Sequence, residues 1–95
     1  MSTDTPSGLK PIAEGAEPEA DDFIDITDVT CPITFVKAKV ALDGLDVGQV
    51  LRIHLNGGEP LGNVPRSFTQ EGQQVLGCQD HPDGTHELWV KKLVD

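Results

Sequence analysis

Ninety-five residues suffice for one domain and are too few for two with separate cores. A formal net charge of −9 argues against nucleic acid as a partner, because that role calls for a basic surface. No apolar run approaches the roughly 20 residues that span a bilayer, and the N-terminus lacks the basic-then-apolar start of a secretory signal.

The two cysteines, Cys31 and Cys78, have unrelated surroundings and make neither a disulfide framework nor a zinc-ligand spacing. His54, His81 and His86 are scattered over two strands and a turn. We therefore expect no metal, no cofactor, and a monomer in a reducing cytoplasm. With three Phe, one Trp and no Tyr, the core must be mostly Val, Leu and Ile.

Residues 1–21 carry Asp4, Glu14, Glu17, Glu19 and Asp21 against Lys10 alone, and only Leu9 and Ile12 are sizeable apolar groups. Such a stretch buries too little surface to offset its ordering entropy, so a disordered acidic tail is expected, followed by a domain over 22–95. Residues 22–27 are β-rich, with Ile24 and Ile26 on one face. A short loop leads to Cys31-Pro32, where an apolar periodic segment begins. Proline is favoured as the first residue inside a helix, where its missing N–H costs nothing. If Pro32 holds that place, Cys31 is the N-cap, facing the free amides and the positive end of the helix dipole. Both favour thiolate, and helix N-termini lower a cysteine pKa from about 8.5 into the range of roughly 3.5–7.5.

The helix is expected over 32–42, stopping at Asp43-Gly44. At 100° per residue, Phe35, Ala38 and Leu42 share one side, assigned to the core. Ile33, Val36 and Val40 share the other, a partly exposed stripe that reads equally as a partner-docking surface or as a face covered by other elements. Lys37 and Lys39 are either steering cations for that docking or ordinary solvated residues.

Residues 49–55 form the clearest strand, with Leu51, Ile53 and Leu55 inward. Gly57-Gly58 makes a loop, and a second helix follows over about 60–71. Gly62 and Pro65 disturb its first turn, Asn63 is a candidate N-cap, and Val64 and Phe68 face inward. Residues 75–79 and 86–93 read as a hairpin around Pro82-Asp83-Gly84, with Cys78 as a buried core thiol. This order gives an α+β, two-layer βαβαββ sandwich, with two helices on one face of a four-stranded mixed sheet. The other sheet face, bearing some of Trp89, Arg52 and His54, is expected to meet solvent.

Cys31-Pro32 at the strand-to-helix loop, Asp25 in the first strand, Gly48 before the second strand and Asn63-Val64-Pro65 together resemble the TusA/SirA/YedF family of small sulfur carriers. The resemblance covers about residues 23–92. It implies a sandwich similar to the C-terminal domain of translation initiation factor 3. It also implies a cysteine, here Cys31, that carries persulfide sulfur from a desulfurase or rhodanese-like donor to an acceptor protein. The family motif Cys-Pro-x-Pro reads Cys31-Pro32-Ile33-Thr34 here. Thr34 restores an N–H that the second proline would remove, so Ile33 and Thr34 can both donate toward the N-cap position. The expected site is thus Cys31 supported by Pro32, Ile33 and Thr34, with Val36, Lys37 and Val40 for docking. Such a chain is a sulfurtransferase-type carrier more than a turnover enzyme. Two other readings compete: a non-catalytic interaction or regulatory module, and a thiol redox sensor.

Overall fold

The computed structural model describes residues 11–13, 15–29 and 33–94. Its elements are β1 (Asp22–Asp25), α1 (Ile33–Asp43), β2 (Val50–Asn56), α2 (Glu59–Gln70), β3 (Gln74–Asp80) and β4 (Thr85–Lys91). The strands form one mixed sheet in the order β1-β2-β4-β3, with β1 parallel to β2 and the other pairs antiparallel. Both helices lie on one face, giving the expected α+β sandwich.

The core follows from the alternation of β2. Leu51, Ile53 and Leu55 are fully buried, and they meet Ala38 and Leu42 of α1, Leu61, Val64 and Phe68 of α2, and Leu88 and Val90 of β4. Phe35 of α1 packs edge-on against Phe68 at 5.1 Å between ring centroids, which ties the two helices together. The apolar stripe on the far side of α1 stays in solvent: Ile33, Val36 and Val40 are all more than half exposed.

Chain direction places the functional end. Because β2 runs parallel to β1 and β4 runs back along β2, the loop after β1, the loop between β2 and α2, and the β3–β4 hairpin gather at one end of the sheet. The opposite end carries the C-terminus of α1. No basic residue of α1 itself lies in its last turn. Instead Lys92, almost fully buried, donates from Nζ to the carbonyls of Asp43 (3.2 Å) and Leu45 (2.7 Å). A cation there satisfies helix-end carbonyls and opposes the negative end of the dipole.

Two expectations are corrected. Asn63 does not cap α2; the helix spans Glu59–Gln70, close to the expected 60–71, and its cap position is Gly58, with a proline at its first or second position and Pro65 inside it. Gly58 has φ +82°, a region open to glycine, and this lets the chain turn sharply from β2 into the helix. Nor does the second sheet face leave Trp89 to solvent: its exposure is 1 %. Arg52 stacks over the indole at 5.5 Å. The described part of the acidic segment is also bonded to the sheet. The N–H of Ile12 donates to the carbonyl of Cys78 on the free edge of β3 (2.9 Å). Gln79 donates to Glu17 (2.8 Å), and Asp21 exchanges two hydrogen bonds with Val50. The described residues 12–13 and 15–21 thus link β3, through Cys78 and Gln79, to Val50 at the start of β2.

Candidate functional site

The chain leaves β1 in a tightly held turn. The Asp25 carboxylate accepts hydrogen bonds from the Thr27 backbone N–H (2.9 Å) and hydroxyl (2.7 Å), which hold its pKa below the usual carboxylate value. Its second oxygen lies 3.7 Å from His54 Nδ1. Ile26, fully buried, donates its N–H to the carbonyl of His54, and Asn56 Nδ2 donates to the carbonyl of Thr27 (2.7 Å). The stem of the β1–α1 loop is therefore fastened to β2 at two points. Cys31 and Pro32 lie outside the described residues. The chain is described again from Ile33, where α1 begins.

Ile33 is exposed while Thr34, beside it, is buried at 1 % exposure. Thr34 lines a cleft of about 360 Å³ between α1 and α2, together with Phe35, Val36, Asn63, Arg66, Ser67 and Gln70. Arg66 is exposed there and forms no ion pair among the described residues. Amides in the first turn of a helix have no partner within the helix, so the N-terminus of α1 brings donors to this end of the sheet. Val36 and Val40 stand on the exposed stripe. Lys37, expected as a docking cation, lies 3.6 Å from Asp28, and Lys39 pairs with Glu71 at 2.7 Å. Both lysines are thus partly neutralised, which leaves Arg66 as the cation facing the α1–α2 cleft.

The other sulfur is not placed to act as a nucleophile. Cys78 is 1 % exposed, and burial, with a smaller push from the Asp80 charge, drives its thiol pKa up to about 12.

Sequence reading missed a polar cluster on the sheet face away from the helices. There a groove of about 430 Å³ is lined by His54, His81, Pro82, Asp83, Thr85 and Glu87. His54 Nε2 bonds Thr85 Oγ1 (2.9 Å), and His81 Nε2 bonds Glu87 Oε1 (3.0 Å). Glu87, buried despite its charge, also accepts a bidentate pair from Arg52. The i, i+2 spacing of Arg52 and His54 signals a shared face, but which residues of β4 stand opposite depends on a register that spacing does not give.

Residues 22–92 match the family model of the sulfurtransferase TusA. The chain belongs to the TusA family. A protein of Archaeoglobus fulgidus named "Putative sulfur carrier protein" is 32 % identical over 80 residues, covering 84 % of this chain and 91 % of that one. The crystal structure of a SirA-like protein from Desulfitobacterium hafniense superposes with a TM-score of 0.67 at 23 % identity, covering 77 % of this chain and 99 % of that one, and so shares the fold. Membership in the TusA family and the Archaeoglobus relative support a sulfur-carrier role. No helix among the described residues is long and apolar enough to cross a membrane.

Proposed function

We propose that this TusA-family chain carries sulfur as a persulfide on Cys31, taking it from a desulfurase or rhodanese-like protein and passing it to an acceptor protein. The observation that carries this reading is the family match over residues 22–92, within which Cys31-Pro32 immediately precedes the described start of α1.

In loading, the Cys31 thiolate attacks the outer sulfur of the donor's persulfide. The new Sγ–S bond forms as the donor's S–S bond breaks, and the donor leaves as a thiolate with no net oxidation. Unloading repeats the exchange in reverse sense: the acceptor thiolate attacks the terminal sulfur, and Cys31 leaves as thiolate. Both steps need a sulfur stabilised as an anion, which helix-end amides and the dipole supply without a general base. Cys31 is three residues from Thr34, so covalent reach alone keeps their Cα atoms within about 11 Å. The α1–α2 cleft with Arg66 therefore lies in reach of an incoming anionic group. The exposed stripe of Ile33, Val36 and Val40 on the same helix provides apolar contact for donor or acceptor.

Intact mass after incubation with a cysteine desulfurase and cysteine, or with a rhodanese and thiosulfate, tests the reading. We expect a gain of one sulfur, reversed by reductant and absent in Cys31→Ser. No gain on an accessible Cys31 would favour the interaction module, and a peroxide-driven gain of oxygen the redox sensor.

Thr34 gives a second prediction. Thr34→Pro removes one amide donor from the first turn of α1, and the Cys31 pKa is expected to rise. The pH dependence of iodoacetamide alkylation measures it, and a lower pKa in the proline variant would refute the role given to Thr34.

A further inference from the structure

Among the clusters that the sulfur relay does not use, one combines a thiol, a carboxylate and an imidazole. Cys78 and Asp80 are two apart on β3 and so share a face. The β3–β4 register sets His86 directly opposite Asp80. One donor atom from each of Cys78, Asp80 and His86 lies within 4.8 Å of the other two. Cys78 and His86 are buried, and the Asp80 side chain is 43 % exposed. The cluster stands on the helix-facing side of the sheet, at the end where β2 hands over to α2.

We propose that Cys78, Asp80 and His86 form a binding site for a single divalent cation of the zinc type. The donor set is one thiolate, one imidazole and one carboxylate, each a known class of zinc ligand. Its two negative charges offset the dication. In a tetrahedral set with bonds of about 2.0–2.3 Å, ligand atoms are roughly 3.5 Å apart, so a small side-chain adjustment brings the three into one shell. The exposed side of Asp80 leaves the fourth position to water.

The ion-free geometry is that of a site closed by a proton. His86 Nδ1 and Asp80 Oδ1 are 2.6 Å apart and share a hydrogen. On binding, the cation replaces that hydrogen: His86 moves its proton to Nε2, and the Cys78 thiol releases its own to solvent, one proton per ion bound. Burial and the Asp80 charge keep Cys78 protonated in the absence of metal, and both effects are opposed by a cation at the same place. Gly57 supports the arrangement from the loop between β2 and α2. A Cβ there would sit 2.9 Å from His86 Nε2, so only glycine leaves the ring this space.

Cobalt(II) titration of the full chain tests the site, with Cys31→Ser as background so that Cys78 is the only thiol. We expect one equivalent of Co²⁺ to give an intense thiolate-to-metal charge-transfer band, which one equivalent of Zn²⁺ abolishes by displacement. Asp80→Asn, at a part-exposed position, and His86→Gln should each remove the band, with circular dichroism confirming the fold. Absence of the band in Cys31→Ser would overturn the proposal, and so would a band that survives both ligand substitutions. Neither result bears on sulfur loading of Cys31, which the mass measurement decides separately.

Discussion

Phe68→Ala is expected to cost about 3–5 kcal/mol of folding stability, the range for deleting a buried aromatic ring. Small domains have about 5–15 kcal/mol in total, so the variant approaches the unfolding threshold. Phe68 is 1 % exposed and forms the edge-on pair with Phe35. The local sequence of α2 cannot compensate. Gly62 and Pro65 lie within it, Pro65 removes one internal hydrogen bond, and no side chain caps its start. The helix therefore depends on its packed face, with Leu61, Val64 and Phe68 holding it to the sheet. Because Phe35 also lines the α1–α2 cleft, Phe68→Ala should loosen that cleft as well. Urea unfolding measures the loss. A cost under about 1 kcal/mol would show that α2 is held by something other than this contact.

The second large effect concerns the sign of a pH dependence. Burial pushes the Glu87 carboxyl pKa up, but hydrogen bonds from Arg52 and His81 outweigh that push and the net shift is downward. A carboxylate with a depressed folded pKa adds stability that is full above its unfolded pKa of 4.5 and is lost as pH falls through the lower folded value. Arg52→Leu removes the larger of the two opposing partners, so less opposes the push of burial. The folded pKa rises, and the stability that Glu87 adds above 4.5 shrinks accordingly. Breaking a fully buried pair costs about 3–5 kcal/mol, and exposed pairs are worth about 0–1. With the Arg52 side chain 41 % exposed, about 2 kcal/mol at neutral pH is expected. Unfolding midpoints between pH 3 and 7 would show the wild type gaining stability with rising pH relative to Arg52→Leu. Parallel curves would mean the pair contributes no linkage.

Much of the fold was legible because it rests on local periodicity. The alternation of Leu51, Ile53 and Leu55 located β2 and its buried face. The two stripes of α1 were separable at 100° per residue, and the structure buries Ala38 and Leu42 while exposing Ile33, Val36 and Val40. Contacts between distant segments were not legible. Lys92 completes the end of α1 from 49 residues beyond Asp43, and nothing near Asp43 announces it. Trp89 reads as half-solvated from its strand alone, since the Arg52 that stacks over it comes from a different strand, 37 positions away. The extent of α2 was legible to within a residue, but its cap was misassigned: Asn63 is a good cap by residue type, while the geometry that decides the matter is the positive φ of Gly58. At the candidate site, residue chemistry singles out Cys31-Pro32, which lies outside the described residues. The stem that holds its loop was not legible, because Asn56 reaches Thr27 across 29 positions.

The exposed stripe of α1 is built only of branched side chains. On a helix, Val and Ile hold essentially one χ1 rotamer, so Ile33, Val36 and Val40 are nearly immobile before anything touches them. A protein that settles on this ridge freezes little motion, whereas a stripe of Met or Lys would lose about 1.5–2 kcal/mol of rotamer entropy per residue. For the docking role proposed for this stripe, such a surface suits transient encounters: a small contact suffices for association, and a small contact also lets go quickly.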